Sequence, residues 1–81
     1  MNADEIEALI EDGIPNASAT VTRPRGPDDD DHYAARVVSP AFEGETVVAQ
    51  HERVYDALGD HMTTDIHAIE LTTRTPDQVE D

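Results

Sequence analysis

His32-Tyr33-Ala34-Ala35-Arg36-Val37-Val38-Ser39 is the stretch on which the fold turns. Tyr33, Ala35 and Val37 share one parity, and Ala34, Arg36 and Val38 the other. That period of two belongs to a strand with one face against a core. Pro40-Ala41-Phe42-Glu43-Gly44 follows and reads as a turn. Thr46 then offers a hydroxyl for a helix N-cap, and Val47, His51, Val54, Tyr55 and Leu58 recur at spacings of three and four up to Gly59. Met62 fits a short turn beyond it, and Ile66 to Thr73 is rich in β-branched residues, a further strand. A strand, a helix and a strand in this order predict a parallel pair joined by a right-handed crossover.

Upstream, Asn2 followed by Glu5 has the form of a capping box. Ile6, Leu9 and Ile10 make an apolar stripe, so a first helix is expected over about 3–12. Gly13 suits a left-handed helix end, and Pro15 cannot prolong the helix. Residues 17–22 alternate apolar and hydroxyl side chains, a short half-buried strand. Arg23 to Asp31, with two prolines, a glycine and four consecutive aspartates, is an exposed loop that suits an antiparallel pair. The expectation is therefore α-β-β-α-β, an α+β fold: one domain over 1–76 with a three-stranded mixed sheet, both helices on one face, and an acidic disordered tail at 77–81.

Composition limits what such a domain does. Of 81 residues, 19 are acidic and five are basic, all of them arginine, for a formal net charge of -14. Leu, Ile, Val and Phe together number sixteen, near the level at which charged chains stay unfolded, but the periodicity argues for a folded domain. Dense acidity without lysine suits a high-salt solvent, where a Debye length of ~3 Å at 1 M screens like charges from one another. The absence of cysteine excludes thiolate catalysis and any iron–sulfur or zinc site built from this chain's own thiolates. No apolar run is long enough to span a bilayer, and the acidic N-terminus is unlike a secretory signal, so a cytoplasmic protein is expected. There is no Gly-rich phosphate loop, no G-x-x-G clamp for RNA, and no nucleophile placed beside a base, so the chain is not read as an enzyme. Asp28 to Asp31 lacks the glycine and the downstream glutamate of an EF-hand loop.

The histidines carry the remaining chemistry. His32 opens the second strand and His67 the third, so a parallel pairing brings both to one end of the sheet, on strands ~4.8 Å apart. Two imidazoles there suit a shared metal site beside the aspartate loop; the alternative is that each is a half-buried packing residue. His51 falls in the apolar stripe of helix two and is expected in the core, and His61 suits the negative end of that helix.

The segment from His32 to Thr75 resembles the BolA family. The resemblance rests on His32-Tyr33, Val37-Val38-Ser39, Phe42-Glu43-Gly44, Gln50-His51, Val54-Tyr55-Asp56-Ala57-Leu58, Ile66-His67-Ala68 and Thr75-Pro76. It implies a fold akin to the second KH type, in agreement with the element order above. It also implies a partner and a cargo. BolA-like proteins pair with monothiol glutaredoxins around a bridging [2Fe-2S] cluster, with possible transfer to apo iron–sulfur client proteins. The family's histidine ligand near the start of the last strand matches His67, and His32 is the nearest candidate for the second ligand. Some family members regulate transcription through helix two, and the alternative function is a KH-like nucleic-acid-binding regulator. There Arg53 is the one basic residue, since Gln50 and Glu52 stand where the family often has arginine. With a charge of -14, DNA or RNA is a disfavoured partner.

Overall fold

Asn2 opens the first helix with both halves of a capping box: its side chain accepts the Glu5 N–H at 2.9 Å while Glu5 accepts the Asn2 N–H at 3.2 Å. The computed structural model describes residues 2–26, 28, 32–64, 66 and 68–79. Helix α1 spans Ala3–Gly13, β1 Ser18–Thr22, β2 His32–Val38, α2 Val47–Leu58, α3 His61–Thr64, β3 Ala68–Arg74 and α4 Pro76–Val79, with a 3-10 turn at Pro40–Phe42. Strand order is β1-β2-β3, with β1 antiparallel and β3 parallel to the central β2.

The alternation read from the sequence sets the two faces of this sheet. Ala19, Val21, Tyr33, Ala35, Val37 and Thr73 are buried on the helix side. Ile6 and Ile10 of α1 and Val54 and Leu58 of α2 complete the core with Phe42, Ile14 and Ile66. Burying these side chains offsets the entropy of ordering the chain, and each large one contributes on the order of 1.5–3 kcal/mol. Ser39 is also fully buried: it donates to the Pro15 carbonyl at 2.7 Å and accepts the Ala41 N–H at 3.0 Å, pinning the 3-10 turn against the end of α1. Strand β1 lies on an edge, and α1 guards it. The carboxylates of Glu7 and Glu11 accept the N–H groups of Val21 at 2.8 Å and Ala19 at 3.0 Å, donors that a further strand would otherwise use.

Four expectations change. Gly13 does not take the left-handed position; the cap is Ile14 in extended backbone, and the positive φ belongs to Asn16 at 55°. Gly13 is needed for a different reason, because a Cβ there would meet the Ala57 Cβ at 2.6 Å and its Cα at 3.0 Å, where α1 crosses α2. The inward stripe of α2 is rotated from the sequence reading: Gln50, Val54 and Leu58 are buried, His51 is half-buried, and Val47 and Tyr55 are exposed. His61 follows the end of α2 as expected, but it opens a one-turn helix, α3, where an irregular turn is expected. Residues 76–79 form one helical turn where a structureless tail is expected, and the Thr75 N–H donates to the Gln78 side chain at 2.7 Å.

Rotation of α2 has a polar cause. Gln50 has three partners in the interior. Its Nε2 donates to the carbonyls of Glu45 at 3.0 Å and Phe42 at 3.3 Å, and its Oε1 accepts the Thr73 hydroxyl at 2.6 Å. A half-buried imidazole at position 51 is left beside this network, whereas an amide with every hydrogen bond made can be buried at little cost.

Candidate functional site

Parallel pairing of β2 and β3 brings the starts of both strands to the same end of the sheet. His32 is the first residue of β2 and stands in register with Ala68, the residue that follows His67 in the chain. His67 itself, together with Asp29 to Asp31, lies outside the described residues. By parity His32 belongs with Ala34, Arg36 and Val38 on the sheet face that no helix covers, and it is half-buried there. It lines a cleft of about 360 Å³ with Pro24 and Arg25 of the β1–β2 loop, Tyr33 of β2, and Ala68, Ile69 and Glu70 of β3. Glu70 is on the same face as His32, two residues along the neighbouring strand from its register partner.

The electrostatics of this face differ from those of the rest of the molecule. The three strands carry a single acidic residue, Glu70, although the chain has nineteen. Arg36 and Arg74 lie on the uncovered face, and Arg25 lines the cleft from the β1–β2 loop, so three of the five arginines are found there. An anionic group entering the cleft therefore meets the Arg25 guanidinium together with the Glu70 carboxylate. Arg25 and Glu70 were missed by sequence reasoning. The register that sets Glu70 beside the end of β2 is a property of the folded sheet, and nothing in the local pattern of the loop marks Arg25.

The donor set is small. Among the described residues, no group of three or more His, Cys, Asp or Glu side chains converges on a common point for a metal ion. With no cysteine in the chain, a cluster at the cleft would take nitrogen donors from this protein and its sulfur donors from another. Arg53 is placed elsewhere, on α2, with its Nε donating to Glu45 Oε1 at 2.6 Å. That hydrogen bond holds the Glu45 carboxyl below its ordinary pKa and raises that of Arg53. A phosphate seeking Arg53 would have to displace a carboxylate first, next to exposed Glu52 and Asp56. No helix among the described residues is long and apolar enough to cross a membrane.

Comparison with known proteins places the chain in context. The family model described as BolA-like protein matches residues 9–78. The SufE-like protein 1, chloroplastic/mitochondrial, of Arabidopsis thaliana is 35% identical over 78 residues, covering 94% of this chain and 21% of that protein. Protein BOLA1, chloroplastic, of the same plant is 29% identical over 75 residues, covering 93% of this chain and 47% of that protein. The chain thus spans about a fifth of one relative and about half of the other. Among solved structures, a bolA protein homologue from Coxiella burnetii superposes with a TM-score of 0.86 at 39% identity, covering 100% of this chain and 99% of that one.

Proposed function

The chain belongs to the BolA-like protein family, and from that premise we propose that it is a cytoplasmic, non-enzymatic adaptor in iron–sulfur cluster trafficking. It holds a bridging [2Fe-2S] cluster jointly with a monothiol glutaredoxin and passes it to apo client proteins. The observation that carries this reading is the family match over 9–78, which contains both His32 and His67. A SufE-like name among the relatives is in keeping with it.

In this reading the cluster is cargo, and this chain's part is to present imidazoles to one iron. His67, which precedes Ala68 in the chain, is the first ligand, and His32, which lines the cleft where β2 and β3 begin, is the second. Arg25 lines the cleft together with the sheet's one acid, Glu70, and offsets its charge where thiolate and sulfide ligands would bring more. Nitrogen donors in place of thiolates raise the potential of such a cluster. They also make its retention depend on protons, because an imidazole must be neutral to ligate.

The test is a titration of this protein into cluster-loaded monothiol glutaredoxin, followed by visible absorption and circular dichroism. Wild type is expected to give a new spectrum that His67→Ala abolishes and His32→Ala alters. A spectrum and transfer rate in His67→Ala identical to wild type would remove this residue from the ligand set.

A further inference from the structure

Helix α2 carries more apolar surface than its own sheet covers. At about 100° per residue, Ala57, Gln50, Val54 and Leu58 occupy one arc of roughly 100°, which is the arc turned to the core. The apolar surface does not stop there. Beyond Leu58 it continues through His51 and Tyr55 to Val48, about 80° further round the helix. Val48 is 68% exposed and Tyr55 41%. Helix α1 packs on the opposite flank, where Gly13 meets Ala57, so it leaves this strip bare.

We propose that this flank of α2, from Val48 through His51 to Tyr55, is a docking surface for a partner protein whose apolar strip is edged by lysine or arginine. Charge selects that occupant. The next positions round the helix are Glu52 and Asp56, both exposed, and the helix's one cation, Arg53, lies on the far side and is paired with Glu45. A second copy would bring another charge of -14 and the same acidic rim to the contact. Phosphates of a nucleic acid or of an anionic lipid surface would face the same two acids. A basic-edged protein gains on both counts: its rim pairs with Glu52 and Asp56, and the overall charge of this chain speeds its approach. A strip of two helical turns corresponds to a small, transient interface of less than ~1,200 Å² in total.

The surface is distinct from the cleft at His32. Gln50 is tied to Thr73 near the end of β3, whereas the cleft lies at the start of that strand. A partner on α2 therefore leaves the cleft open, and failure of the cluster-sharing reading would not touch this proposal.

The experiment uses the full chain, isotope-labelled for NMR at ~0.15 M salt, where the Debye length is ~8 Å. Three synthetic helical peptides serve as probes: an amphipathic Leu/Lys peptide, a Ser/Lys peptide of equal charge, and a Leu/Glu peptide. The Leu/Lys peptide is expected to shift the signals of Val48, His51 and Tyr55 saturably, and the other two are expected to leave them in place. Val48→Ser combined with Tyr55→Ser should weaken that binding about tenfold or more, worth ~1.4 kcal/mol, while the amide spectrum elsewhere stays that of the folded protein. Both side chains are exposed, so the fold does not depend on them. Three results would overturn the proposal. One is shifts scattered over the acidic surface and indifferent to the double substitution. Another is equal binding of the Leu/Glu peptide. The third is a concentration-dependent dimer that the double substitution abolishes, which would make a second copy the occupant.

Discussion

The two long helices of this protein lie side by side on the same sheet and meet it in opposite ways. Helix α1 spends its apolar residues inward: Ile6 and Ile10 are fully buried, Leu9 is half-buried, and even its flanking Glu7 and Glu11 are engaged, as acceptors for the edge strand. Helix α2 buries an amide at Gln50 and leaves two valines and a tyrosine in water. Amphipathic period alone therefore does not say how a helix sits. It gives the inward direction when every large apolar side chain on the helix goes to the core, as with Ile6, Leu9 and Ile10 of α1. It misleads when part of the apolar arc is left for another purpose and a polar group with three partners takes its place, as in α2.

That contrast can be broken or sharpened by substitution. The largest effect is expected at the core of α1: Ile10→Ala should cost about 2–5 kcal/mol in chemical denaturation, and Tyr55→Ala on α2 less than about 0.5 kcal/mol. Comparable losses at the two sites would mean that the outer arc of α2 is covered in solution. At the seam between the helices, Gly13→Ala should destabilise by about 1–3 kcal/mol, although glycine to alanine within a helix ordinarily helps. Ala57→Gly in the same chain removes the colliding Cβ and should restore much of that loss.

Gln50→Leu should cost about 1–3 kcal/mol, because the carbonyls of Phe42 and Glu45 and the Thr73 hydroxyl lose a buried partner. Thr73→Val in that background should be less harmful than in wild type, a coupling that a double-mutant cycle reads directly. The smallest effect belongs to Arg53 and Glu45. Glu45 has a folded-state pKa below its ordinary 4.5, chiefly through the Arg53 hydrogen bond. Its contribution is therefore present above that ordinary value and is lost as pH falls through the folded one. Denaturation midpoints of wild type and Arg53→Ala should differ slightly at neutral pH, less in high salt, and not at all once pH is well below 4.5.

Much of the architecture could be read from the chain. The capping box at Asn2 and Glu5, the Thr46 cap and the Gly59 stop stand where the sequence puts them, and the strands begin and end within two residues of expectation. The sheet order and its one parallel pair followed from the lengths of the connections. At the site, His32 could be placed at the start of β2 from the sequence, and its face of the sheet is given by the strand register. The contributions of Arg25 and Glu70 to the same cleft were not legible, since they come from a loop and from strand register. His51 was the clearest misreading. It has the spacing of a core residue, yet the neighbouring Gln50 holds the interior position.

Local chemistry along the chain suffices for where helices and strands start, stop and alternate, because caps, turns and side-chain periods involve residues within four positions of one another. The facing of α2, the reason for Gly13 and the lining of the cleft came from assembly. Each depends on groups remote in the chain arriving at one point: Phe42, Glu45 and Thr73 around Gln50, Ala57 against Gly13, and Arg25 and Glu70 beside His32.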